Sequence, residues 1–185
     1  PNYESLVKFI PEKDLWPINK MWDLHYYGPM AFNAGPEQHT ALIENSYGGA
    51  DNAEEFCEKS QWVNLESNKA LFEGWLDRMW NDASGAMLWM SGASYPCMVW
   101  QTYDYYGDLT GAYFGCKQAC EPVHIYWNPV TEEVKVANTS SKDIEGLTAE
   151  AEVYNMDGKL VERYSEKANV DALSNAVAKC FKLKF

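Results

Sequence analysis

The sequence predicts a chain of two characters, an α/β portion followed by an all-β portion, on three observations. The apolar run GAMLWM at 85–90 is followed by a small, polar, turn-forming stretch at 91–96 and then by a helical pattern at 100–106. Strand, irregular loop and helix in that order make the βα unit of an α/β fold. Beyond Pro122 aromatic density falls and strict alternation of apolar and polar residues sets in, the period of half-buried strands. Between these two regimes, residues 85–127 hold ten aromatic side chains.

Taken in order, residues 1–50 are rich in Pro, Gly and Asn and predict short helices at 2–10 and 18–25. The stretch YYGPMAFNAGPEQH at 26–39 reads as a long loop, and long loops in compact domains tend to be functional or to face a partner. Asp51 can cap a helix reaching about residue 80, with Phe56, Trp62, Val63, Leu65, Ala70, Leu71, Trp75 and Met79 near helical spacing. Asn81 to Gly85 ends it. The run 85–90, short and wholly apolar, predicts a strand buried on both faces. A helix over 113–120 closes this half.

Strands are expected at 123–127, 133–137, 148–154, 160–164 and 176–185, with Met156-Asp157-Gly158 as a hairpin turn. Five strands in this space read as a sandwich; a complete immunoglobulin-type sandwich has about seven strands in ~100 residues. The expected division is therefore 1–120 and 121–185.

Charge and cysteine usage exclude several functions. The formal net charge of −12 disfavours nucleic acid, whose phosphates need Lys and Arg, and favours neutral or cationic ligands. No apolar run is long enough to span a membrane as a helix. The chain starts at Pro1, which is expected of a processed or excised piece. Its five cysteines are odd in number and form no CxxC pair, so they are no disulfide framework. Cys116, Cys120 and His124 stand four apart, but zinc sites of this kind need a fourth ligand; thiols packed in a helix account for them more simply. No cofactor is expected.

Aromatic rings at the density seen in 85–127 either fill a core or line a concave ligand site. Ligands of α/β folds bind at the C-terminal ends of strands, which singles out Trp89 at the end of the run and Tyr95 in the loop after it. Trp100, on the expected following helix, is assigned to packing. Asp104 serves either as a structural cap or as an acceptor for ligand hydroxyls. Glu4, Glu37 and Glu44 read as solvated surface charges.

The string Trp89-Met90, Tyr95, Trp100-Gln101, Tyr103-Asp104, Gly111-Ala112-Tyr113-Phe114-Gly115, Lys117, Ala119 and Glu121-Pro122-Val123-His124-Ile125 resembles one segment of glycoside hydrolase family 2, in its exo-β-glucosaminidase and β-mannosidase branch. Residues 61–66 with 70–73 are similar to the helix before that segment, and 1–17 to the stretch just after the family's nucleophile. The resemblance implies the C-terminal part of a (β/α)8 TIM barrel (1–120) followed by a truncated immunoglobulin-like β-sandwich (121–185).

It further implies a parent enzyme that retains anomeric configuration and cleaves terminal β-linked glucosaminide, mannoside or galactoside. Such chemistry uses two carboxyl groups about 5 Å apart. By the resemblance both lie upstream of Pro1, so this chain is expected to be inactive alone and to contribute one wall of the site. Substrate contact is expected from Trp89, Tyr95, Ser91 and Asp104. At Ser91-Gly92, relatives usually carry Leu-Asn, so an amide able to bond a sugar hydroxyl is replaced by glycine. The partners implied are a carbohydrate substrate and the remaining domains of the parent, with self-association through an exposed barrel edge. The alternative is a non-catalytic carbohydrate-binding or interaction module.

Overall fold

The computed structural model describes residues 1–28, 36–99 and 102–182, the last seven of these by backbone alone. Helices and sheets are both present, and the chain divides into two compact units, 1–70 with 87–117 and 71–86 with 118–185.

The first unit is helical. In α1 (Tyr3–Leu6) and the turn after it, Leu6 and Ile10 lie four residues apart and are buried together. In α2 (Lys20–Leu24), Asn19 accepts a capping hydrogen bond from the Met21 amide at 2.9 Å. Trp22 of that helix is 1% exposed, and its indole N–H donates to the Asp14 carbonyl at 3.1 Å. These residues join Tyr27, Ile43, Phe56 and Val63 in one core, where Phe56 meets Trp22 and Tyr27 edge-on at centroid separations of 5.8 and 6.0 Å.

Within the stretch expected as a loop, residues 36–39 instead open α3 (Pro36–Tyr47); residues 29–35 fall outside those described. The proline that reads as a breaker sits at the first helical position, where its missing N–H costs nothing, and Glu37 follows in the first turn. Glu4, Glu37 and Glu44 are exposed, as expected.

Helix α4 (Ala53–Arg78) spans most of the predicted range, but Asn52 rather than Asp51 is its cap. The Asn52 side chain accepts from the Glu55 amide at 2.9 Å, while the Glu55 carboxylate accepts from the Asp51 amide at 2.9 Å, a reciprocal arrangement one residue out of the usual register. The expected apolar stripe is broken, since Trp62 and Leu71 are about half exposed.

Helix α5 (Gly111–Ala119) carries glycine at positions four apart. A Cβ on Gly111 would fall 2.1 Å from the Gln61 carbonyl oxygen, and one on Gly115 would fall 2.2 Å from that of Leu65. The two helix backbones meet at separations only glycine permits. Cys116, in this helix, is half-buried, and Cys120 just beyond it is exposed rather than packed away.

Two further expectations fail here. Residues 85–90 form no strand, and Met87 and Trp89 are 98% and 82% exposed. A buried parallel strand needs a ladder on each side, and the described part of this unit contains no other strand to supply one. Residues 102–106 are a turn rather than a helix; Trp100, assigned to packing, and Gln101 lie outside the described residues.

The second unit holds the strands. β1 (Val123–Asn128), β2 (Glu133–Asn138) and β5 (Ser174–Lys182) form an antiparallel sheet in the order β1-β2-β5. β3 (Ile144–Tyr154) and β4 (Leu160–Val170) form a second, two-stranded antiparallel sheet. Its turn is the predicted one: Gly158 takes φ of 73°, and the Asn155 side chain accepts from the Asp157 and Lys159 amides. Val134 and Val136 of β2 share a core with Ala149 of β3 and Ala168 and Val170 of β4, so the two sheets bury one another's inner faces. Asn138 is fully buried; its amide donates to the Lys142, Val170 and Asp171 carbonyls, and its oxygen accepts from Ser140.

Residues 71–86 supply acidic partners to this sheet. His124 lies 2.8 Å from Glu73, so this histidine is held by a carboxylate; among the described residues no three potential metal ligands come together. Lys135 pairs with Asp77 at 2.6 Å, and Tyr126 donates to the same carboxylate at 3.2 Å. Burial raises the Asp77 carboxyl's affinity for its proton, but hydrogen bonds from Lys135, Asn128 and Tyr126 outweigh it and hold the pKa below the ordinary value.

A carboxyl whose folded pKa is depressed adds stability above its unfolded value, near 3.9, and loses it as pH falls through the folded value. Acid unfolding of the second unit below about pH 4 is therefore expected to be shallower for Asp77→Asn than for the parent chain, read as melting temperature against pH.

Candidate functional site

In the first unit a cavity of about 470 Å³ opens beside residues 88–90. Trp89 and Met90 stand at it, α3 contributes Gln38 and His39, and α4 presents Ser60, Asn64 and Asn68. The last three are spaced by four and so share one helix face. Trp22, Tyr27 and Phe56, buried in the core of this unit, also border it. A cavity lined by both apolar and uncharged polar side chains suits a ring with hydroxyls at its edges.

Burial favours the neutral forms of two titratable groups here. Burial holds the His39 imidazole below its ordinary pKa, and its Nε2 lies 2.8 Å from the Ser60 hydroxyl. Burial also pushes the Cys57 thiol up to about 11. No aspartate or glutamate is among the described residues that line the cavity. The arrangement can bind and orient, but it contains no carboxyl pair for proton transfer and covalent catalysis.

Two loops frame the cavity, and the N-terminal segment anchors both. In the first, the His25 ring Nδ1 lies 2.7 Å from the Pro96 carbonyl, and the Met98 amide donates to the His25 carbonyl at 2.9 Å. Met90, where this loop begins, has φ of 60°, a left-handed conformation uncommon for a residue with a side chain. In the second loop, the Ser91 carbonyl accepts from the Thr102 amide and hydroxyl at 2.9 and 2.8 Å. Thr110 donates twice to the Thr102 carbonyl. Asp108 receives the Ser5 hydroxyl at 3.0 Å, and Lys8 lies 4.6 Å from the Tyr106 ring centroid.

The sequence-predicted residues separate in this frame. Trp89 projects at the cavity with 82% exposure, and Tyr95 is 44% exposed beside a smaller hollow that shares Met90 and Val99 with the main cavity. Ser91 is exposed, with its carbonyl committed to Thr102. Asp104 is 3% exposed, and its Oδ1 accepts from the Tyr106 and Asp108 amides, so it closes its own loop. The polar face of Ser60, Asn64 and Asn68 was not singled out from sequence, although the four-residue spacing was there to see.

Curated proteins match much of the chain. Over 140 residues the chain is 33% identical to the mannosylglycoprotein endo-β-mannosidase of Lilium longiflorum, covering 76% of the chain and 14% of that protein. Over 127 residues it is 37% identical to the exo-β-D-glucosaminidase of Amycolatopsis orientalis, covering 66% and 12%. The whole chain superposes on 22% of the crystal structure of the Amycolatopsis orientalis exo-chitosanase, with a TM-score of 0.84 at 27% identity. The chain is similar to the exo-β-glucosaminidases and β-mannosidases of glycoside hydrolase family 2.

Its relatives within that family are glucosaminidases and mannosidases. A family 2 fold likeness extends to the β-D-mannosidase of Dictyoglomus thermophilum, with a TM-score of 0.81 at 21% identity. The chain spans only about an eighth to a fifth of the length of these proteins. No protein-family model matches the sequence.

Proposed function

We propose that this chain is one wall of the active site of a retaining exo-β-glycosidase that releases terminal β-linked glucosaminide, mannoside or galactoside. Residues 1–120 then form the C-terminal portion of a TIM-barrel catalytic domain and 121–185 the start of an immunoglobulin-like β-sandwich. The observation that carries this reading is Trp89: a tryptophan 82% exposed beside a cavity that polar side chains also line supports contact with a ligand. Trp89 and Tyr95 stack on the sugar, Ser91 lies at its rim, and Asp104 shapes the loop that carries Tyr103. The two carboxyl groups come from other parts of the parent protein.

The purified chain is accordingly expected to show no turnover of p-nitrophenyl β-glycosides above buffer. Hydrolysis that disappears on changing a glutamate within the chain would refute the proposal, because the chemistry would then reside here.

A further inference from the structure

Helix α4 carries asparagine at 64 and 68, two interior positions one turn apart where asparagine is a poor helix former. Both residues are half-buried, and both line the main cavity. The Asn68 side-chain amide donates to the Asn64 main-chain carbonyl at 2.9 Å and to the Asn64 side-chain carbonyl at 3.0 Å. Both of its N–H groups are thereby used, and both side chains are fixed in orientation. What remains is the Asn64 amide as donor and the Asn68 side-chain carbonyl as acceptor, neither with a partner among the described residues. One turn earlier on the same face, Ser60 is already engaged with the His39 ring at 2.8 Å. The free hydrogen-bonding capacity of this face therefore lies in the asparagine pair.

We infer that Asn64 and Asn68 form a binding subsite for one hydroxyl of the ligand, and that this subsite selects a neutral sugar over an amino sugar. The inference rests on the sugar-site reading above. A hydroxyl donates one hydrogen and accepts another, so it satisfies the Asn68 carbonyl and the Asn64 amide at once. A protonated amine only donates. It can meet the Asn68 carbonyl, but it leaves the Asn64 amide unpaired and sets a positive charge against the positive end of that dipole. Discrimination by such a pair is strong, because the wrong group leaves a polar atom of the site without its partner. The two residues act as a unit, since the Asn68 amide holds the Asn64 side chain in place. Of the terminal sugars proposed above, a mannoside or galactoside fits this subsite better than a glucosaminide.

The test uses the purified chain and two probes, p-nitrophenyl β-D-glucoside and p-nitrophenyl β-D-glucosaminide, which differ only in a hydroxyl or an amine at one carbon. Dissociation constants are measured at a pH that protonates the amine, with melting temperatures alongside. The proteins are the parent chain, Asn64→Ala, Asn68→Ala, the double variant, Asn64→Asp and Trp89→Ala. The parent chain is expected to bind the glucoside about 3–10-fold more tightly than the glucosaminide, the worth of one hydrogen bond. Either alanine variant should remove that preference by weakening the glucoside, and the double variant should add little further. Asn64→Asp keeps the acceptor for Asn68 but turns the free donor into a charged acceptor, so it should reverse the preference. Trp89→Ala should weaken both probes alike. Glucoside binding unchanged in both alanine variants, with Trp89→Ala still weakening both probes, would overturn the subsite and leave the cavity as the sugar site. Absence of binding by the parent chain, or binding indifferent to Trp89→Ala, would overturn the site and this inference with it. An equal reversal in Gln38→Glu, which adds the same charge elsewhere on the cavity lining, would overturn the assignment to Asn64.

Discussion

Replacing Trp89 by alanine in the full-length enzyme proposed here is expected to lower kcat/KM by about two orders of magnitude, or ~2.7 kcal/mol of transition-state stabilisation. Its effect on folding should be small. A side chain 82% exposed has little packing to lose, and substitutions at such positions usually stay within about 0.5 kcal/mol. The indole would lie under the apolar face of the sugar and exclude water from the reacting centre. As the ring flattens and positive charge develops, that contact matters more in the transition state than in the ground state. Trp22→Ala is the control. Trp22 is 1% exposed in the helical core, and its truncation should cost roughly 3–5 kcal/mol of stability. Melting temperature and kinetics measured on both variants separate the two kinds of tryptophan. Near-normal kinetics with a large loss of stability in Trp89→Ala would return this residue to a packing role.

The second large effect is expected at Gly115. A Cβ at this position would sit 2.2 Å from the Leu65 carbonyl oxygen, and the next atoms, the Lys69 amide nitrogen and the Leu65 carbonyl carbon, are also backbone. A flexible side chain could swing aside; a helix backbone cannot. Gly115→Val should therefore force α5 away from α4 and cost about 3 kcal/mol or more. In a chain of this length that corresponds to a fall of ~6–12 °C in melting temperature. Gly74→Ala, in the same long helix, has open space around its Cβ and should be neutral or slightly stabilising through helix propensity. If Gly115→Val melts with the parent, the close approach of the two helices is wrong.

The strands were legible because each carries its own period. Val134 and Val136 alternate with charged neighbours, and Gly158 marks the turn between β3 and β4 without help from the rest of the chain. The long helix was legible from its cap, to within one residue, and from its near-helical spacing, although Trp62 and Leu71 of that stripe are about half exposed. What failed depended on neighbours. Residues 85–90 have a strand's composition, but a strand exists only when another backbone pairs with it, and the described part of the first unit offers none. Pro36 was read as part of a long loop, whereas it is the first residue of α3. Residues 102–106 have helical spacing, yet the Asp104 carboxylate captures the Tyr106 and Asp108 amides and closes a turn in place of a helix. Trp89 was singled out as the end of a strand that does not form and Tyr95 as a loop residue; both are exposed. The contact of the Tyr103 ring with Gly92 was not legible, because it joins positions eleven apart through a fold that the local sequence does not announce.

The order of segments along the chain has a consequence for its synthesis. Each unit is interrupted by part of the other: residues 71–86 belong with 118–185, and 87–117 belong with 1–70. On the ribosome, the first unit cannot close until residue 117 has emerged. Glu73 and Asp77 emerge some fifty residues before His124 and Lys135, their partners in the sheet. At about 5–20 residues per second, those carboxylates wait for several seconds without these partners. All residues of the first unit are available before those of the second, and an internal stop or pause near residue 86 would leave both of them incomplete.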